Sequence, residues 1–314
     1  MKVFFAVVMV LLVVFLALCT VVAYYLYRMA ITRKGIKGGE EQLNEMQKKQ
    51  LGMIDEARQW LETQATKDVG IISHDGLKLH AKFLPAENAV RTVICAHGFR
   101  VTALKDFGPM LRYYHENRTN VLMITERSHG ASEGKYLCYG VMERFDIAGW
   151  AELINSSLVP EHLPIYLHGV SMGCATVVMA SDIKLPGNVA GVIADCGFTS
   201  AWDEFAYIMK KNFKLPTFPV LNIADLICEL TAGFEMGEVS TLDIMTRERY
   251  PMLFIHGAND DFVPTYMGVA NYEKCVSKKK LVLFEGAGHA LSWTVDLDLY
   301  ERSVAEFFEE CERK

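Results

Sequence analysis

Apolar residues fall along the chain in three textures. The first is an unbroken run: residues 3–27 (VFFAVVMVLLVVFLALCTVVAYYLY) carry no charge. At about 1.5 Å per residue, a helix of that length crosses a hydrocarbon layer of roughly 30 Å with room to tilt. Tyr24, Tyr25 and Tyr27 close the run, where amphipathic rings favour the headgroup region. A cleavable leader would want an apolar stretch of only about 7–15 residues followed by a small-x-small site. Here the run continues past any such site, and bulky Leu18 argues against Cys19 as a lipoprotein cysteine. Residues 1–30 therefore read as an uncleaved single-pass anchor. Arg28, Arg33, Lys34 and Lys37 follow the uncharged run, against Lys2 and the amino terminus before it. The positive-inside tendency then predicts the remainder of the chain on the cytoplasmic side.

The second texture, over residues 31–68, is a linker (GIKGG) and an amphipathic helix. In residues 40–64, Leu43, Met46, Ile54, Ala57 and Leu61 recur at helical spacing among many charges. Such a helix either packs on the following domain or docks near the membrane, and packing fits the pattern better.

The third texture fills residues 69–314, where short β-branched runs alternate with helical segments. Leu77, Leu79, Ala81 and Phe83 alternate with polar neighbours after Asp75-Gly76, the pattern of a hairpin. Buried strands are expected at 92–98, 120–126, 165–171, 189–195, 251–257 and 280–286. Helices are expected near 105–117, 139–157, 172–182, 264–276 and 294–312. This alternation predicts an α/β domain with a mainly parallel sheet covered on both faces and antiparallel strands at one edge. One insertion, 199–245, interrupts it. The segment is rich in large apolar residues, among them Phe205, Met209, Phe213, Phe218, Leu221 and Leu226. It is too long for a plain loop, which rarely exceeds about 15 residues, and reads as a small helical cap over a pocket.

Composition removes several function classes. The 314-residue chain has a net charge of −6, and no basic stripe is available to displace counterions from nucleic-acid phosphates. The eight cysteines are scattered singly, without C-x-x-C spacing or a disulfide-like framework, which fits a reducing compartment. No Cys/His cluster has zinc spacing, so neither a metal nor a cofactor is expected.

The strongest chemical pattern is Gly169-Val170-Ser171-Met172-Gly173, between an expected strand and an expected helix. A serine on such a turn is held with its hydroxyl exposed, while the glycines permit the tight turn and close packing. A hydroxyl becomes a useful nucleophile only when an oriented base takes its proton. His289, in EGAGH on the loop after the last strand, is the histidine placed to do so. His74, His115 and His162 read as surface residues, and His168 and His256 as packing at strand ends. The orienting acid should lie between serine and histidine in chain order. Asp260 sits just past a strand end and is favoured over its neighbour Asp261, a candidate helix cap. Asp195, after the preceding strand, stands third. A developing oxyanion would be met by the N–H of Met172 and by that of Phe99, in the turn His97-Gly98-Phe99.

With these pieces in place the chain resembles the α/β-hydrolase superfamily. It is most similar to the compact bacterial serine-aminopeptidase-like hydrolases with an N-terminal membrane anchor. The resemblance rests on CAHGF (95–99), RSHGASEG (127–134), GVSMG (169–173), ADCGFTS (194–200), HGANDDFVP (256–264) and GAGHA (286–290). Together these span about 69–312. The resemblance implies Ser171, Asp260 and His289 as a triad, with Phe99 and Met172 as the oxyanion hole. Many relatives carry aspartate where this chain has Thr125, a position that supports the fold more than the chemistry. The expected reaction is hydrolysis of a carboxylic ester in a small-molecule or lipid-like acyl substrate. Peptidase action would need an acidic group for a substrate amine, which Glu204, Glu229, Glu235 or Glu238 could supply. Acyl transfer to another acceptor would use the same residues. A membrane-tethered binding module is the non-enzymatic reading, and the three intact triad residues speak against it. Haloalkane dehalogenase and epoxide hydrolase chemistry would want aspartate in place of Ser171.

Overall fold

The computed structural model describes residues 1–35 and 44–313. The uncharged run forms a single helix, α1 (Lys2–Ala30), long and apolar enough to cross a membrane. Most of it stands clear of the protein, but Cys19, Ala23 and Tyr27, spaced four apart on one face, are buried. Most of the GIKGG stretch and the first residues of the expected amphipathic helix, Leu43 included, lie outside the described residues. That helix, α2 (Glu45–Glu62), opens with a reciprocal cap between Asn44 and Gln47. It buries Gln50, Ile54 and Ala57 and packs on α3 (Ala103–Glu116).

Among the described residues eight strands form one sheet: β1 (Lys67–Ile72), β2 (Lys78–Leu84), β3 (Arg91–Ala96), β4 (Thr119–Thr125), β5 (Ile165–Val170), β6 (Val189–Asp195), β7 (Met252–Gly257) and β8 (Lys279–Phe284). Their order is β1-β2-β4-β3-β5-β6-β7-β8. β2 pairs antiparallel with both β1 and β4, and every other pairing is parallel. The helices are α4 (Glu143–Leu153), α5 (Met172–Ser181), α6 (Ala201–Ile208), α7 (Val220–Ala232), α8 (Thr241–Met245), α9 (Thr265–Lys274), α10 (Ser292–Val295) and α11 (Leu297–Glu312).

The continuous apolar runs of the central strands follow from burial on both faces. Along β3, Val93 and Cys95 join a core with α3 and α11, whereas Ile94 and Ala96 join the core on the α4 and α5 side. β4, β6 and β7 split their side chains in the same way. All ten residues of α5 are buried, which explains why it lacks a polar face.

Two helices depart from their expected outlines. α3 kinks at Gly108 (φ 25°), just before Pro109, whose ring removes a backbone donor. The helix expected at 294–312 breaks at Asp296, whose carboxylate accepts the Leu299 N–H and caps α11. His115, expected at the surface, is half-buried with its ring against Trp60 of α2. The interruption between β6 and β7 carries α6, α7 and α8, with a wider helical turn at Met209–Phe213.

Candidate active site

Ser171 lies between β5 and α5 with φ 55° and ψ −117°, a backbone conformation that non-glycine residues seldom adopt. Its N–H donates to the Asp195 carbonyl across 2.9 Å, which ties the turn to the neighbouring strand. Close packing holds it there. A Cβ on Gly173 would overlap the Ala96 carbonyl oxygen, so α5 approaches β3 more closely than any side chain permits.

His289 is carried by the loop after β8, and its ring lies between two partners. Nε2 is 2.8 Å from Ser171 Oγ, and Nδ1 is 2.8 Å from Asp260 Oδ2. A carboxylate only accepts, so the ring proton sits on Nδ1 and leaves Nε2 free to accept from the serine hydroxyl. Burial alone would raise the Asp260 carboxyl. Hydrogen bonds from His256 and His289, and the charge those rings can carry, outweigh it and hold the group at about 2. Its Oδ1 also accepts the N–H groups of Phe262 and Val263, each at 3.0 Å.

The two other candidate acids lie elsewhere. Asp261 is exposed and pairs with Lys211 at 2.8 Å. Asp195 accepts from Tyr300 across 2.8 Å, and burial pushes its carboxyl up to about 7. His256 does more than pack at a strand end. Its Nε2 lies 3.0 Å from the Val263 carbonyl and 3.3 Å from Asp260 Oδ2, so it buttresses the loop of the acid.

Phe99 and Met172 line the same cavity as Ser171. The turn before Phe99 is pinned from two sides. Asp106 Oδ2 accepts the Gly98 N–H across 2.6 Å, and His97 contacts the Gly98 carbonyl while accepting the Glu126 N–H. Burial lowers the His97 ring to about 3, so it stays neutral in this structural role. Arg100, next along the chain, donates to the carbonyls of Met29, Thr32 and Arg33 at the end of α1 and just beyond.

Several supporting residues gave no signal in the sequence. Trp293 Nε1 donates to the Asp106 carbonyl across 2.8 Å, joining α10 to the first turn of α3. Gln50 of α2 donates to the Ala290 carbonyl beside His289, and Asn259 Oδ1 accepts the Gly286 N–H, both at 2.9 Å. A polar residue on the buried face of α2 was the sole hint at Gln50.

Ser171 opens into an almost wholly apolar cavity of about 360 Å³, within the range of small-molecule sites. Its walls include Tyr139, Phe198, Phe205, Met209 and Leu221. Of the four acidic residues considered for a substrate amine, Glu204 lines this cavity, while Glu229, Glu235 and Glu238 are exposed. Ligand atoms of Cys196, Asp260 and His289 lie within 4.8 Å of one another. Burial keeps the Cys196 thiol well above its ordinary pKa, and the other two groups are bonded to each other, so this chemistry suits proton transfer better than a metal.

Comparison with known proteins places the chain in a family. Over 221 residues the chain is 33% identical to the uncharacterised protein YqkD of Bacillus subtilis, covering 69% of this chain and 71% of that one. Alpha/beta hydrolase domain-containing protein 17B of Xenopus tropicalis is 28% identical over 217 residues, 68% of this chain and 63% of that protein. Among solved structures, an esterase of Pyrococcus furiosus superposes with a TM-score of 0.65 at 25% identity, covering 80% of this chain and 93% of the esterase. No protein-family model matches the sequence. The chain belongs to the α/β-hydrolase superfamily and is an esterase-like member of it.

Proposed function

We propose that the protein is a membrane-anchored serine carboxylesterase. The observation that carries this reading is the His289 ring, bridging Ser171 and Asp260 at 2.8 Å on each side beside an apolar cavity. Ser171 Oγ attacks the ester carbonyl as His289 Nε2 takes its proton, and ionised Asp260 stabilises the imidazolium. The carbonyl oxygen becomes an oxyanion that accepts from the N–H groups of Phe99 and Met172. The intermediate collapses by breaking the carbon–oxygen bond, and His289 returns its proton to the departing alcohol. Water, deprotonated by His289, then attacks the acyl-enzyme, releasing the acid and restoring the serine. The chemistry calls on no cofactor.

The apolar cavity favours an acyl group over a charged amine. Burial pushes Glu204 up to about 9, so it is neutral at physiological pH and offers no anion to a substrate ammonium. The anchor reading is supported by the contacts of α1. Tyr27 and Ile31 are buried in the folded body, and removal of the helix would strip a wall from the cavity. The cytoplasmic side is favoured by the positive charges in the last turn of α1 and just after it, Arg28, Arg33 and Lys34.

The test is labelling with a fluorophosphonate, followed by turnover of p-nitrophenyl esters against aminoacyl anilides. Wild type labels and Ser171→Ala does not, and short-to-medium acyl esters are the better substrates. Failure of wild type to label, or equal labelling of the alanine variant, overturns the hydrolase. A preference for anilides makes it a peptidase.

A further inference from the structure

The cavity beside Ser171 is not closed by the hydrolase fold alone. Leu26, Tyr27, Met29, Ala30 and Ile31, the last turn of α1 and the residue after it, form one of its walls. These residues continue without a break into the uncharged helix. The junction is held rigidly, since Arg100 donates to three carbonyls there and the Ile31 carbonyl accepts the Leu137 N–H across 2.8 Å.

α7 of the cap lies against the same helix. The buried stripe Cys19, Ala23 and Tyr27 faces it, and the Tyr27 hydroxyl shares a 2.7 Å hydrogen bond with Thr231. A hydrocarbon layer of roughly 30 Å takes up about 20 helical residues. Counted from Val3, that places its boundary near Val22, beside Tyr24, Tyr25 and Tyr27. α7 reaches as far as Cys19, about 12 Å along the axis from Tyr27 at 1.5 Å per residue, so it touches the boundary. Its outer side suits that position. Leu226 is 52% exposed, Leu230 76%, and Phe218 just before the helix 74%. Three large apolar groups exposed on one cap, beside a membrane-length helix, mark a surface that meets lipid.

We propose that the cavity fills from the bilayer: a membrane-resident acyl ester lipid enters along α1 beneath α7, its chain occupying the apolar space and its ester reaching Ser171. This rests on the reading of Ser171 as nucleophile and of α1 as a retained membrane helix, and it adds the substrate class and the route. The partner is the lipid surface itself. α1 is then both tether and pocket wall, so the cavity mouth is fixed at the depth where lipid esters lie.

The full chain is reconstituted in phosphatidylcholine vesicles doped with dioleoylglycerol, and p-nitrophenyl butyrate is measured in parallel as a soluble ester. Leu226 and Leu230 line no part of the cavity, so Leu226→Asp with Leu230→Asp leaves butyrate turnover unchanged. Carboxylates at the lipid boundary are expected to lower dioleoylglycerol turnover by about tenfold or more. Equal dioleoylglycerol turnover by the variant and wild type overturns the proposal. A nitrobenzoxadiazole label on Leu230→Cys supplies a readout independent of chemistry. Quenching by brominated lipid is expected, and its absence overturns the proposal even if both esters are hydrolysed. Loss of butyrate turnover by wild type would instead sink the esterase reading, while the quenching result still judges where α7 lies.

Discussion

The Gly98 N–H donates to Asp106 Oδ2 across 2.6 Å, and through that bond a buried carboxyl in the first turn of α3 sets the loop that carries Phe99. Asp106 is buried and lines no part of the cavity; its carboxylate accepts from a backbone donor. Asp106→Ala leaves the Gly98 N–H unpaired and lets the turn relax. Removing one oxyanion donor outright costs about 2.7–4 kcal/mol, so a misplaced donor should cost part of that, roughly 10- to 100-fold in kcat. KM for a soluble ester should change little. Asp106→Asn keeps an acceptor oxygen and should recover most of the rate. A fall in KM-governed binding with kcat intact would show that the bond serves the cavity instead.

The identity of the acid can be tested against its neighbours. Asp260 is held at about 2, so it remains ionised through the working range and can stabilise the imidazolium. Asp260→Asn should lower kcat by about 10³- to 10⁴-fold, since the amide favours the wrong tautomer of His289. Asp261→Asn removes only an exposed ion pair with Lys211 and should leave the rate within about twofold. Asp195→Asn retains an acceptor for Tyr300 and should be similarly mild. Steady-state kinetics on one ester separates the three, and a loss at Asp195 or Asp261 matching that at Asp260 would reassign the acid.

Strain at the elbow has a thermodynamic signature. Ser171 sits at φ 55° and ψ −117°, where a Cβ is unfavourable and glycine is at ease. Ser171→Gly should therefore be more stable than Ser171→Ala by about 1 kcal/mol, although neither has a nucleophile. Denaturant unfolding of the two inactive variants in the same detergent measures the difference. Equal stability would mean that the turn bears no strain.

Much of this was legible because the central strands are buried on both faces, so the runs around Val93 and Val192 stand out whatever the tertiary context. The order serine, acid, histidine could be read because chain order is a property of the fold. What could not be read were bonds between residues far apart in sequence. Gln50 reaches Ala290 and Arg100 reaches the end of α1, and nothing in either side chain's own pattern names its distant partner. The choice between Asp260 and Asp261 likewise turned on which carboxylate points inward, which adjacent residues on a loop do not reveal. The cap was legible as apolar helix, but its contact with α1 depends on how two apolar faces meet, and periodicity alone leaves that open.

Glu204 carries the last prediction. Both carboxyl oxygens are buried without a hydrogen-bond partner, and the group lies within the field of Asp260 and, more weakly, Lys211. Burial, and then the Asp260 charge, raise it from its ordinary value to about 9. The folded protein therefore holds a proton that the unfolded chain releases near pH 4.5. By linkage, stability is fully present below that pH and is lost progressively as pH rises toward 9, because ionisation is allowed only in the unfolded chain. Glu204→Gln removes this slope. Gln also lacks partners at the site, so the absolute stability of the variant is not the readout. The difference in Tm between variant and wild type should instead shift in favour of the variant from pH 5 to pH 9, with ester turnover retained. Other raised carboxyls, such as Asp195, titrate in both proteins and cancel in the difference. Parallel Tm profiles across that range would show that Glu204 is already ionised in the folded protein, and with it would return the anion that an amine-binding peptidase needs.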